Sequence, residues 1–282
     1  MVDFTGKNGE VFAPERVSSM IAANVAEKSI ISQLAGTSRV ITGDGLRGLS
    51  GGLPVAHIVE EGALKPSSDA LQQKTVGTAK AAVISVVSEE LLEDDDALME
   101  ELQNVLPVSL ARKIDQHILS EESTHIDTLG NAPEVTGANV FAGLTAGITS
   151  VQSAGYNTDS VVVSPEFDGQ ILSTVDSNGR PLYLPSFSDG VGTSFLGRKL
   201  VTTSSLNEGA VVGDFSTSSF ATIGGVKLKV SDQATIDGVS LFQQNLVAIL
   251  AEIRFSFITP DNNAFARVVV DDAVDDVVDD TE

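Results

Sequence analysis

Cysteine is absent from the 282 residues, and with it go disulfides, thiolate nucleophiles, Cys-ligated zinc and iron–sulfur clusters. Positive charge is scarce as well. Lys and Arg total 17 against 39 Asp and Glu, a net charge of −22. Such a chain has no basic footprint with which to displace counterions from a nucleic acid or an anionic membrane. The last twelve residues, Asp271 to Glu282, hold seven acids and no base, and the body without them is still acidic. No apolar run approaches the roughly 20 residues that span a bilayer. The N-terminus shows neither the basic stretch nor the apolar core of a secretory signal. The pattern predicts a soluble, non-exported protein. Apolar residues make up 42% of the chain, enough to bury a sizeable core in one large domain or two small ones.

Residues 1–50 mix short apolar clusters with Gly and Ser. Val17, Met20, Ile21 and Val25, then Ile30, Ile31 and Leu34, recur at helical spacings. The segment is too weakly apolar to fold alone and reads as an arm that completes its burial against something else. Between Pro54 and Val87, the apolar residues Val55, Ile58 and Val59 and the β-branched run Val76–Val87 flank a polar stretch, Lys65–Asp69. Two extended segments with a long tip read as a projecting hairpin.

A long helix is expected next. Ser88 suits an N-cap, and Glu89, Glu90, Glu93 and Asp94–Asp96 put negative charge at the helix start. Leu98, Leu102, Leu106, Leu110, Ile114 and Ile118 then recur every four residues. That step precesses about 40° per contact around the helix, and Pro107 sits at the change. Either the helix kinks there or one helix touches two layers. Residues 131–241 predict a mixed α+β domain: helices over 138–153 and 165–175, a buried strand at Val161–Val163, and strands near Leu200–Val201, Ala210–Val212 and Val226–Val230. Leu246–Ile258 reads as one strand of about twice the usual length.

The search for chemistry returns little. His117, Glu121 and His125 fall at i, i+4 and i+8, a spacing that sets two imidazoles and a carboxylate on one helix face as zinc ligands. However, Ser120–Thr124 reads as a fraying helix end, so exposed polar residues are the better expectation. His57 reads as a packed or interface residue in a strand. Asp94–Asp96 lacks the spacing of a calcium loop. Ile223-Gly224-Gly225-Val226 reads as a turn between apolar stretches, and lacks the Lys-Ser/Thr ending of a phosphate loop. No nucleophile elbow or metalloprotease histidine pair occurs. The acidic tail reads as solvated. No catalytic, cofactor-binding or metal-binding residue is assigned.

Six fragments, in order across residues 14–268, resemble the major capsid proteins of tailed bacteriophages with the Hong Kong 97-type fold, which encapsulin shells share. Ile58-Val59-Glu60-Glu61-Gly62 is similar to the family's entry to its extended loop. Val87-Ser88-Glu89-Glu90-Leu91-Leu92-Glu93-Asp94 is similar to the start of its spine helix. Asp176-Ser177-Asn178-Gly179-Arg180-Pro181-Leu182 resembles its Asp-x-x-Gly-Arg turn, and Leu196-Gly197-Arg198-Lys199-Leu200-Val201 a following strand. Val212-Gly213-Asp214-Phe215 resembles a Gly-Asp-Phe element, and Asn245-Leu246-Val247-Ala248 with Arg254 and Ala264-Phe265 the final strand. Lys199 departs from a frequent proline, and Pro107 interrupts the spine helix.

The resemblance implies an α+β Hong Kong 97-type capsid fold. Its parts would be an N-terminal arm (1–50), an extended loop hairpin (51–87), a peripheral domain with spine helix and long strand (88–130 and 242–270), an axial domain (131–241) and an acidic, disordered tail (271–282). It implies a non-enzymatic major capsid protein that self-assembles from hexamers and pentamers into an icosahedral shell. That shell would enclose double-stranded DNA without sequence-specific binding, and would form in the host cytoplasm as part of the virion. No long scaffolding segment precedes the arm, which implies a separate scaffold alongside a portal. Some relatives join a loop lysine to a neighbour's asparagine. Lys65 and Lys74 lie in the matching region, but no acceptor stands out. The alternatives are an encapsulin-type compartment shell and, in another class, an acidic metal-binding module or enzyme using His117, Glu121 and His125.

Overall fold

The computed structural model describes residues 24–41, 45–51, 57–59, 72–89, 96–175, 194–236 and 238–270. The first described elements are a short helix α1 (Ile30–Leu34) and strands β1 (Thr37–Ile41), β2 (Leu46–Ser50), β3 (Gln72–Val76) and β4 (Ala79–Ser88). Next come the long helix α2 (Asp96–Ser120), strand β5 (Glu134–Gly137), helix α3 (Val140–Ser153), strand β6 (Ser160–Val163) and helix α4 (Pro165–Ser173). Strands β7 (Ser194–Phe195), β8 (Arg198–Thr202), β9 (Ala210–Gly213) and the long β10 (Ser219–Ser231) follow. A small ladder, β11 (Thr235–Ile236) and β12 (Val239–Ser240), leads into the long β13 (Leu246–Ile258) and then β14 (Phe265–Val270).

Local chemistry accounts for several boundaries. The Asn139 side chain accepts the Ala142 N–H at 2.8 Å and starts α3. Ser164 Oγ accepts the Phe167 N–H at 3.2 Å, with Pro165 at the first helical position of α4. All four residues of β6 and of β9 are buried, as befits strands covered on both faces.

Two sheets organise the chain. The first has the order β1-β10-β13-β4, with β1 parallel to β10 and the other pairs antiparallel. The second has the order β5-β14-β9-β6-β8-β7. Helix α2 packs on β4 and β13 of the first sheet, where Ile114 and Ile118 join Ala251, Ile253 and Phe255 in one core. That core continues onto one side of the second sheet through Val162 and Val211. The other side carries a second core, in which Val161, Val163 and Val212 meet Leu144 and Ile148 of α3 and Phe167 of α4.

Helix α2 continues past Pro107 as one element. Besides the sheet it touches α1 and the short 3-10 turn Leu129–Asn131, so it serves two layers. The helix start expected at Ser88 meets a strand instead. Ser88 closes β4 opposite Leu246, and residues 90–95 lie outside the described residues.

Strand partners differ from the sequence expectation. The hairpin pairs β2 with β3, Leu46 opposite Val76 and Ser50 opposite Gln72, so its first strand lies upstream of Val55–Val59. The run Ala79–Ser88 belongs to β4 and pairs with β13. Residues 57–59 are assigned to no strand, and His57 is exposed. The described part of the expected arm is buried in its own chain: Val25, Ile31 and Leu34 are core residues, and β1 extends the first sheet. Residues 1–23 lie outside the described set. Likewise β10 joins the sheet of β13, and β14 joins the sheet of β9, crossing the boundary expected near residue 241. Alternation of side chains marks a strand, but its partner is chosen by contacts distant in sequence.

The Gly224–Gly225 pair, expected as a turn, is a bulge inside β10. The register moves from Ile223 opposite Arg254 to Val226 opposite Ile253. Both glycines have positive φ, +71° and +70°, which only glycine adopts without strain. Two extra residues preserve the period-2 phase, so Phe220 and Val226 both stay in the core.

Candidate assembly surfaces

The structure separates the residues that the sequence grouped as a candidate metal face. His117 Nδ1 meets Glu121 Oε2, and Lys113 Nζ lies 2.7 Å from Glu121 Oε1. The Lys113 hydrogen bond, followed by that of His117, holds the Glu121 carboxyl below the usual carboxylate range. His125 lies beyond the end of α2, exposed, and does not join them. Instead the His117 ring stands edge-on to Phe255, with centroids 6.2 Å apart. Among the described residues no three His, Asp or Glu side chains converge on a metal position. The Asp94–Asp96 side chains, the Asp176–Leu182 turn, Lys65 and the acidic tail lie outside the described residues.

What the buried polar groups do is tie elements together. Asp115 sits on the core-facing stripe of α2 and is 2% exposed. It accepts Ser29 Oγ at 2.6 Å, Ile30 N–H at 2.9 Å and Ile31 N–H at 3.3 Å. The carboxylate thus satisfies the free donors at the start of α1, while Ser29 Oγ accepts the Ser32 N–H. Burial pushes the Asp115 carboxyl up to about 6, against the opposing effect of its three hydrogen bonds.

A second tie holds the hairpin. Lys74 Nζ lies 2.7 Å from Asp127 Oδ2, and the same carboxyl oxygen accepts the Thr259 N–H at 2.9 Å. At the corner between β3 and β4, Gly77 N–H donates to the His125 carbonyl at 2.8 Å and Ser256 Oγ donates to the Gly77 carbonyl at 2.7 Å. Lys74 is therefore engaged within its own chain.

A third tie joins the end of α3 to the connections around β9 and β14. Asp159 accepts the Phe215 and Ser216 N–H groups, each at 3.1 Å. Burial, together with the nearby Asp214 charge, raises its pKa. The Tyr156 hydroxyl donates to Asp261 at 3.1 Å. Burial, then the charge of Asp261, pushes that phenol up to about 12.

The sequence reading missed Asp115, Asp127 and Asp159. One of them left a signal: an acid flanked by Ile114 and Ile118 on an apolar helical stripe demands partners.

The depression along the outer side of α3, lined by Asn139, Phe141, Thr145 and Ser153, is wide open to solvent. No helix among the described residues is long and apolar enough to cross a membrane. What the surface does offer is exposed apolar side chains: Leu49 on the hairpin, Ile58, Ile84 and Val86 on β4, and Phe242 before β13. Ile84 and Val86 lie on β4, the edge strand of the first sheet.

Comparison with known proteins decides the matter, because residues 9–270 match the phage capsid family. The chain belongs to the phage capsid family. It is a major capsid protein, a building block of the shell of a tailed phage. A curated relative, the probable major capsid protein gp17 of Mycobacterium phage D29, is 26% identical over 76% of each chain. Among solved structures, one from Mycobacterium phage Bobi has a TM-score of 0.68 at 23% identity, covering 87% of this chain and 91% of its own. The capsid of an empty GTA particle computed with C5 symmetry has a TM-score of 0.64 at 16% identity, covering 85% and 89%. The mixed α+β fold of this capsid protein is shared with those structures.

Proposed function

We propose that this capsid protein assembles from hexamers and pentamers into an icosahedral shell of the Hong Kong 97 type that encloses double-stranded DNA. In this reading the first sheet with α2 forms the peripheral region and the second sheet with α3 and α4 the axial region. The β2–β3 hairpin serves as the extended loop that reaches a neighbour. The role is architectural, with no catalytic step. A separate scaffold and a portal act during assembly in the host cytoplasm, and the acidic body keeps the enclosed DNA from adhering.

The hairpin carries the reading. Leu46 and Val76 at its base meet Ala221 and Ile258 in a separate small cluster, while Leu49 is 59% exposed and Ile58 fully exposed. Covering each such side chain stabilises by roughly 1.5–3 kcal/mol, and many modest contacts add up through multivalency.

Negative-stain electron microscopy with light scattering, on the chain alone and with a co-expressed scaffold, tests this. Closed shells or rings of five and six subunits are expected. A stable monomer under both conditions refutes it. The informative truncation begins at Asn24, because Val25, Ile31 and Leu34 belong to the core. We expect that truncation to fold with the wild-type circular dichroism spectrum and to form no normal particles. Normal particles refute a role for residues 1–23 in holding neighbours.

A further inference from the structure

The first sheet has one face packed on α2 and another that turns outward. Register identifies the outward side chains, because residues directly opposite in antiparallel strands share a face. One outward row is Ala82, Glu252 and Lys227, and the next is Ile84, Leu250 and Lys229. Lys80 and Val86 of β4 lie on the same side. In a chain with 17 bases and 39 acids, this patch reverses the balance, with three lysines and Arg254, which stands opposite Lys80, against one carboxylate. Lys80 lies 3.4 Å from Glu252. Lys227 and Lys229 are exposed, and among the described residues neither has an ion-pair partner. Between them and the free edge of β4 lie Ile84, 55% exposed, and Val86, 41% exposed. The face is therefore both basic and apolar, and it asks for a ligand that is acidic and apolar.

Asp271–Glu282 has that character. Its sequence alternates aspartate pairs with Ala273-Val274 and Val277-Val278, and it contains no base. In an extended conformation each side of such a segment presents Asp and an apolar residue in turn, about 7 Å apart. Such a segment offers carboxylates to the exposed Lys227 and Lys229 and apolar side chains to Ile84 and Val86. We infer that this sheet face binds the acidic C-terminal segment of a neighbouring copy of the chain.

The tail leaves from Val270, which pairs with Gly137 in the second sheet, whereas the basic face belongs to the first; a neighbouring copy is the source to which the inference commits. The inference rests on the shell reading, which supplies neighbours at fixed positions.

The cysteine-free chain allows a direct test. Full-length chains carrying only Ile84→Cys are co-assembled with full-length chains carrying only Val277→Cys, particles are isolated, and disulfide-linked dimers are quantified after mild oxidation. Leu172→Cys, an exposed apolar position on α4, replaces Ile84→Cys as the reference. We expect about tenfold more dimer through position 84 than through position 172. Adding Lys227→Glu and Lys229→Glu to the Ile84→Cys chain should remove most of that yield, as should high salt. Equal yields at the two positions overturn the proposal. So does a bond confined within single chains carrying both Ile84→Cys and Val277→Cys. A stronger bond from Ile84→Cys to Glu61→Cys assigns the face to another segment and equally overturns it. Particles without the tail bond refute only the docking, whereas a mixture that forms no particles refutes the shell reading and the neighbour contact with it.

Discussion

Replacing Asp115 by asparagine tests how a buried carboxylate anchors α1 to the long helix. The folded chain holds the Asp115 proton up to about pH 6, against an ordinary value of 3.8. The unfolded chain releases that proton near 3.8, so proton binding favours the folded state throughout this window. The stability contributed by the protonated group is complete below about 3.8, falls as pH rises, and is gone above about 6. The difference corresponds to about 3 kcal/mol. Asparagine keeps an acceptor oxygen and carries no charge at any pH. The Asp115→Asn variant should therefore gain about 3 kcal/mol on the wild type between pH 4 and pH 7. Comparing the two proteins at each pH cancels the titration of the other 38 carboxylates. The chain has no tryptophan, so urea unfolding of unassembled protein is followed by circular dichroism. Asp115→Ala serves as the second arm. It leaves the Ser29 hydroxyl and the Ile30 and Ile31 N–H groups without their acceptor, and should lose about 3 kcal/mol or more relative to asparagine at every pH. A difference between wild type and Asp115→Asn that does not change with pH, or one that moves against asparagine as pH rises, refutes the argument.

Three further outcomes are expected. Lys74→Ala and Asp127→Ala should each speed hydrogen exchange of the Gln72–Val76 amides. A double-mutant cycle between them should return a coupling of about 1 kcal/mol, since the pair is only partly buried; no coupling would remove this ion pair from the hairpin's anchorage. Gly36→Ala should destabilise by about 3 kcal/mol, because a Cβ there would lie 1.8 Å from the Ser216 carbonyl oxygen; unfolding at wild-type urea concentration would contradict that close approach. Gly224→Ala and Gly225→Ala should each cost about 1 kcal/mol through their positive φ alone, since a Cβ at either meets open space. A larger loss in the unassembled chain would mean that the bulge packs against something.

Elements were legible in this sequence where a single chemical period ran long enough to be unmistakable. The four-residue recurrence from Leu98 to Ile118 marked α2, and alternation from Leu246 to Ile258 marked β13 to the residue. The helices expected over 138–153 and 165–175 stand as α3 (Val140–Ser153) and α4 (Pro165–Ser173), and the structure shows Asn139 and Ser164 as the caps that start them. Partnerships were not legible in the same way. Nothing near Leu46–Ser50 says that it pairs with Gln72–Val76 across more than twenty intervening residues, and Val76–Val87 reads as one strand although Gly77 divides it between two sheets. The Gly224–Gly225 pair has the composition of a turn, and only the matching strand β13 turns it into a bulge.

The assembly surface falls between these cases. Lys227 and Lys229 read as ordinary polar alternation in a strand until the register sets them beside Ile84 and Leu250. A face made by three strands from distant parts of the chain has no local period to announce it. The acidic tail, by contrast, is plain in the sequence, but it has no meaning as a ligand until a basic face is known. A shell protein spreads its function over such pairs of surfaces, each half of which looks like ordinary solvated chain. For that reason the six ordered fragments identified the family more securely than any one candidate site. The sites gained meaning only once the sheet order had brought distant residues together.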